Sequence, residues 1–177
     1  TIFFYDDLFT FDEKWLKEFL EIYKVKVNMP FICTARADLI NESIADMLKK
    51  AGCRTVSFGI ETGNYQIRKE ILKKDITDEQ IIRCARLLHD NNINIQTSNM
   101  FCLPDETVED AYKTVEINIR MKTDFAFSAL FMPFPNTEIA EYCIKRGLLS
   151  SVYALKDLPR SFLTASILSV RDKTVLI

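Results

Sequence analysis

The residues best placed to do chemistry in this chain stand where apolar runs end. Ile2 to Tyr5 leads into Asp6 and Asp7, Phe31 to Thr34 into Arg36, and Val56 to Ile60 into Glu61 and Thr62. The run from Ile93 to Phe101 carries Asn99 and Met100 near its end, and Phe125 to Phe131 is followed by Pro133. A carboxylate at such a place accepts hydrogen bonds from hydroxyl or ammonium groups, and an acidic pair suits a cation. Glu61 is the most pointed case, because Gly63-Asn64 follows at once and turns the chain, leaving the carboxylate exposed at the end of the run. For Asp6 and Asp7 a turn or helix cap is the competing reading, an ordinary use of Asp ahead of a helix.

The elements that must hold these residues alternate in kind. Five apolar, β-prone runs are separated by stretches of helical period, with no linker or low-complexity break, which reads as a βα repeat. The strands are Ile2 to Tyr5, Phe31 to Thr34, Thr55 to Ile60, a run within Ile93 to Phe101, and Phe125 to Phe131. The first helix is expected to carry Phe11, Trp15, Phe19 and Tyr23 on one stripe, widened by Leu16 and Leu20. Asn41 caps the second, which runs through Ile44 and Leu48 to a stop at Gly52. A short helical piece spans about Ile67 to Leu72. Thr77 and Gln80 have capping-box spacing ahead of a helix that buries Ile81, Cys84, Ala85 and Leu88 and stops at Asn91-Asn92. Thr107 to Asp110 opens a helix with Ala111, Val115 and Ile119 in line, and a last helix runs from about Thr137 to Arg146, ended by Gly147. Strands joined through helices are parallel neighbours, so the product is a doubly wound sheet or part of a barrel, and either places ligands at the C-terminal strand ends.

Composition narrows the classes. In 177 residues, 23 Lys+Arg against 25 Asp+Glu give a net charge of −2, and 48% of residues are hydrophobic. This suits one ordinary domain, without the basic footprint of a nucleic-acid binder and without a membrane span. Cys33, Cys53, Cys84, Cys102 and Cys143 are odd in number and dispersed, pointing to core thiols in a reducing compartment, hence the cytoplasm. No phosphate loop, dinucleotide fingerprint or nucleophile elbow occurs, and the single histidine, His89, near a helix C-terminus, suits the helix dipole better than a metal. No metal ligands are expected within the chain. Thr rather than Met at position 1 suggests a fragment or processed product.

Read in order, the strand-end segments are Phe4-Tyr5-Asp6-Asp7-Leu8-Phe9, Cys33-Thr34-Ala35-Arg36-Ala37-Asp38, Ser57-Phe58-Gly59-Ile60-Glu61-Thr62-Gly63, Asn99-Met100-Phe101-Cys102-Leu103-Pro104-Asp105-Glu106-Thr107 and Pro133-Phe134-Pro135-Asn136-Thr137. With Ala51-Gly52-Cys53 they resemble, in order and spacing, the radical S-adenosylmethionine (SAM) superfamily, and especially its branch with a cobalamin-binding domain. The resemblance implies an α/β fold, an incomplete (βα)6 TIM-like barrel in which these five parallel βα units are the second to sixth. Residues 1–147 would be the core and 148–177 a C-terminal extension. It implies an enzyme that, in full length, uses a [4Fe-4S] cluster to cleave SAM reductively and start radical chemistry, of methyl-transfer or oxidative-cyclisation type, on a small-molecule substrate. Cobalamin would be a further cofactor. The C-x-x-x-C-x-x-C loop that holds the cluster in this family is not in the sequence and is expected upstream; such ligation needs a close-set cysteine run.

The same resemblance assigns residues. Asp6 and Asp7 stand where the family meets the SAM amino group, Glu61 where it hydrogen-bonds SAM, at the ribose. A basic residue about a dozen positions later meets the SAM carboxylate, for which Lys73 and Lys74 both qualify, with Lys74 favoured; a solvated helix end is their plain reading. Arg36 would meet SAM or substrate, and Ser57, Asn99 and Met100 complete the cofactor-binding set. The chain departs from the family where Cys102, Asp105 and Asn136 replace glycines. Asp and Asn tolerate a left-handed backbone, so those turns are expected to survive. Cys102 puts a side chain where the adenine end would approach the backbone, which suggests a second reading, a degenerate barrel that binds without catalysis. A third, a response-regulator-like sheet, lacks its phosphate-site lysine after the last strand. An incomplete barrel also leaves the Ile2 to Tyr5 edge open to self-association.

Overall fold

The computed structural model describes residues 1–159 and Ser161, so the rest of the expected C-terminal extension, 148–177, lies outside the described residues. Five strands form one parallel sheet in the order β1-β2-β3-β4-β5, with helices alternating between them, the expected βα repeat. The strands are β1 (Ile2–Phe4), β2 (Phe31–Thr34), β3 (Cys53–Glu61), β4 (Asn94–Phe101) and β5 (Phe125–Leu130). The helices are α1 (Glu13–Lys26), α2 (Glu42–Lys50), α3 (Asp78–Asp90), α4 (Val108–Met121) and α5 (Glu138–Lys145). β1 pairs with β2 from Ile2↔Phe31 to Phe4↔Cys33. β2 pairs with β3 from Phe31↔Cys53 to Thr34↔Ser57, with a register shift that leaves Arg54 as the extra residue.

Local chemistry accounts for the helix ends. Asn41 accepts from the Ile44 N–H at 2.8 Å, and the Thr77–Gln80 capping box is formed in both directions. Gly52 ends α2 at φ +93°, where a Cβ would be strained. Asp12 caps α1, so that helix begins at Glu13 and leaves Phe11 ahead of the cap and 75% exposed. The buried face is Leu16, Leu20 and Tyr23, while Trp15 is half exposed; the expected aromatic stripe is therefore displaced toward the leucines. A second displacement occurs in α4. Ala111, Thr114, Ile117 and Met121 are buried, whereas Val115 and Ile119 are exposed. A distant partner is the cause: the Gly63 N–H donates to Thr114 Oγ1 at 2.7 Å, which turns Thr114 inward and rotates the apolar line away.

The chain divides into two compact units. The first comprises Thr1–Ile60, Ile76–Ser98 and Ile117–Phe127, the second Glu61–Asp75, Asn99–Glu116 and the chain from Ser128. The first holds the larger core, in which Phe4 packs against Phe9, Phe19, Tyr23 and Phe31, and Val56, Phe58 and Ile60 of β3 join Leu48, Leu88 and Ile95. The second is built on Ile67, Leu103, Phe131 and Cys143, with Met100, Ile139 and Leu148 packed against them. All five cysteines are buried thiols, as their apolar surroundings in sequence implied. Among the described residues no helix is long and apolar enough to cross a membrane.

Candidate functional site

The first unit carries four of the expected residues. Asp6 and Asp7 are exposed just past β1, and the Asp6 carbonyl accepts from Thr34 Oγ1, which ties the end of β1 to that of β2. Arg36, past β2, is exposed but engaged: Nε donates to Asp38 Oδ1 at 3.1 Å and Nη2 to Oδ2 at 3.0 Å, a planar fork. Ser57 is buried in β3, and its carbonyl accepts from the Ala35 N–H at 2.9 Å.

The second unit holds the rest. Glu61, the last residue of β3, pairs with Lys74 at 2.9 Å (Oε1 to Nζ), each side chain about one-fifth exposed. Its backbone sits at φ +69°, a region that L residues other than Gly, Asn and Asp rarely adopt and that costs roughly 1–2 kcal/mol. Such strain persists only where the surroundings over-determine it, and here they do. Arg68, fully buried, donates from Nη1 to the Thr62 carbonyl at 2.7 Å, with its guanidinium 5.8 Å from the Tyr65 ring centre. Asn64 Oδ1 accepts from the Gln66 N–H at 2.8 Å and the Ile67 N–H at 3.2 Å, opening a π-helical turn over Ile67–Ile71. Beyond that turn the Lys74 N–H donates to the Arg68 carbonyl at 2.9 Å, which brings Lys74 back beside Glu61. Lys73, at φ +54° and exposed, does not join that pair; it lines a cleft of about 240 Å³ with Glu70, Ile139 and Tyr142.

Gly63 has no left-handed backbone, and its reason is space: a Cβ there would overlap the Lys113 carbonyl and the Thr114 nitrogen of α4. The same helix grips the next residue, because Asn64 Nδ2 donates to Asp110 Oδ1 at 2.8 Å. Asp110 is buried, and burial alone would raise its pKa; hydrogen bonds from Lys113, Thr107 and Asn64 outweigh that and bring it down to about 2.

Near the end of β4, Asn99 is buried and Met100 packs on the second core. The three residues that replace family glycines all adopt the left-handed backbone, Cys102 at +62°, Asp105 at +61° and Asn136 at +67°. For Asp105 and Asn136 the expected tolerance is what is seen. Asp105 also gains partners, accepting from the Tyr142 hydroxyl and the Arg146 guanidinium of α5 and its end. Cys102 is buried at the same left-handed backbone, although a cysteine side chain does not favour it. Glu106 Oε1 is buried with no hydrogen-bond partner, while Oε2 accepts from the Leu103 N–H at 3.1 Å; burial pushes its pKa up to about 7.

The sequence profile of the radical SAM superfamily matches residues 1–117. The chain belongs to the radical SAM superfamily. It is 31% identical over 147 residues to an uncharacterized methyltransferase, PH0819, of Pyrococcus horikoshii, covering 82% of this chain and 32% of that protein. It is 30% identical over 101 residues to the anaerobic magnesium-protoporphyrin IX monomethyl ester cyclase of Rubrivivax gelatinosus, covering 57% of this chain and 18% of that one. Among solved structures it resembles the radical SAM methyltransferase TsrM of Kitasatospora setae with cobalamin and a [4Fe-4S] cluster bound, at TM-score 0.68 and 21% identity over 81% of this chain and 28% of that one. The chain thus spans about a third or less of the length of these relatives.

Among the described residues no group of three His, Cys, Asp or Glu side chains could hold a metal ion. Three of the thiols are held protonated: the contact with Cys53 and burial hold the Cys33 thiol well above its usual range, and burial pushes Cys84 up to about 12 and Cys143 up to about 11. His89 Nε2 lies 3.1 Å from the Met121 carbonyl, at the end of α4. Sequence reasoning missed the support of Glu61. Asp110 was visible only as a helix opener and Asn64 only as a turn residue, and Arg68 gave no signal, because their partners are set by the turn itself or by a helix 46 residues away.

Proposed function

We propose that the full-length protein is a radical SAM enzyme that binds SAM at the C-terminal ends of these strands and carries out methyl transfer or oxidative cyclisation on a small-molecule substrate. The reading is carried by Glu61: a strained, over-determined carboxylate at a strand end, salt-bridged to a lysine, is a placement made for a ligand rather than for packing. In this reading Glu61 accepts from the SAM ribose and Lys74, not Lys73, meets the SAM carboxylate. Asp6 and Asp7 attract the ammonium, and Arg36, Ser57, Asn99 and Met100 line the site. A [4Fe-4S] cluster supplies the electron that cleaves SAM; its ligands belong to a part of the protein outside this sequence. Cobalamin is a further cofactor by analogy with TsrM alone. Five buried thiols fit a cytoplasmic setting.

The test compares Lys74→Ala with Lys73→Ala in the full-length protein by SAM titration calorimetry. Loss of one charged hydrogen bond predicts about tenfold weaker binding for the first and under about twofold for the second. Equal effects would overturn the assignment of Lys74. The degenerate-barrel reading draws on the buried, left-handed Cys102; reductive cleavage of SAM to 5′-deoxyadenosine by the wild-type full-length protein would remove it.

A further inference from the structure

We propose that Asp110 is a positioning residue for Glu61, holding through Asn64 the turn that keeps the Glu61 carboxylate in its strained place; the link to ligand binding rests on the SAM reading above. The Asp110 side chain does more than cap a helix. Its Oδ2 accepts from the Thr107 N–H at 3.1 Å and the Thr107 hydroxyl at 2.8 Å, and Thr107 Oγ1 in return accepts from the Asp110 N–H at 3.2 Å. That reciprocal exchange completes the start of α4. Oδ1 is directed elsewhere, to Asn64 Nδ2 at 2.8 Å, with Lys113 Nζ also at 2.8 Å.

One buried carboxylate therefore joins two segments: the loop that follows β4, through Thr107, and the turn that follows β3, through Asn64. Asn64 passes the constraint on, since its Oδ1 fixes the Gln66 and Ile67 amides that begin the π-helical turn. Just beyond that turn the Lys74 N–H bonds back to the Arg68 carbonyl, which sets Lys74 beside its partner Glu61. Gly63, between Glu61 and Asn64, is pressed against α4 and bonded to Thr114, so the turn has no room to relax. A carboxylate ionised down to about 2 accepts all four bonds at any working pH, which an amide cannot do.

Two readouts on the full-length protein test this. The variants are Asp110→Asn, which keeps the shape but cannot accept on both sides, and Asp110→Ala. Lys113→Ala is the control, removing an exposed donor while leaving Thr107 and Asn64 bonded. The first readout is hydrogen exchange at the Gln66 and Ile67 amides, corrected for the change in global stability. We expect about tenfold faster exchange in both Asp110 variants and none of it in Lys113→Ala. Unchanged corrected exchange would overturn the proposal. The second is SAM affinity, by equilibrium dialysis, in wild-type and Glu61→Ala backgrounds. Asp110→Asn should weaken SAM about tenfold in the first and under about twofold in the second, because two residues acting as one are not additive. A loss of equal size in both backgrounds would make Asp110 a merely structural residue. If Glu61→Ala alone leaves SAM binding intact, the SAM reading of Glu61 falls, and the exchange result then decides by itself whether Asp110 holds the turn.

Discussion

Two acidic residues of the second unit are ionised in opposite senses for reasons of partnership. Asp110 has four donors and stays charged, whereas Glu106 is buried beside backbone amides with one oxygen unpartnered and is pushed up to about 7. The folded state therefore keeps a proton on Glu106 that the unfolded chain, near 4.5, has released. Because the native form binds more protons between those values, stability falls as pH rises from about 4.5 to 7 and levels off above. The expected loss is on the order of 2–3 kcal/mol at most. Chemical denaturation at pH 5 and pH 8 measures it, and Glu106→Gln should flatten the difference. A wild-type stability that rises over that interval would contradict the ionisation assigned to Glu106. Residue types alone made part of this legible: Asp105 and Asn136 were readable as left-handed turns, and Glu61 as a strand-end carboxylate. The protonation of Glu106 was not, because it depends on burial by residues far along the chain.

Elements were more legible than their rotation. The caps at Asn41 and Thr77 and the stops at Gly52 and Gly147 depend on a few neighbouring residues, and all are seen. The buried face of α4 depends on a partner, since the approach of Gly63 places Thr114 inward and leaves Val115 and Ile119 outside. Lys73 and Lys74 both qualified in sequence, with Lys74 only favoured, for the same reason, since a π-helical turn decides which of them returns to Glu61. The contact also predicts a contrast between glycines. Gly63→Ala should cost roughly 3 kcal/mol or more, because backbone cannot yield as a side chain does. Gly147→Ala, at φ +70° with nothing near its Cβ, should cost only about 1 kcal/mol. Denaturation midpoints of the two variants check this, and similar small losses in both would show that the Gly63 approach does not constrain α4.

At the scale of the molecule, the large core lies in the first unit, whereas Glu61, Lys74 and their supports belong to the second, whose core is smaller. Changes at Glu61 should therefore register in binding far more than in folding. The most direct measurement is SAM titration calorimetry of the full-length protein carrying Glu61→Ala and Glu61→Gly, beside their denaturation midpoints. Both variants should bind SAM about 10- to 100-fold more weakly, as loss of a charged acceptor predicts. Glu61→Gly should be the more stable of the two by about 1 kcal/mol, since glycine adopts φ +69° without strain. Unfolding by Glu61→Ala with unchanged SAM affinity per folded molecule would instead make Glu61 a structural carboxylate and contradict the account.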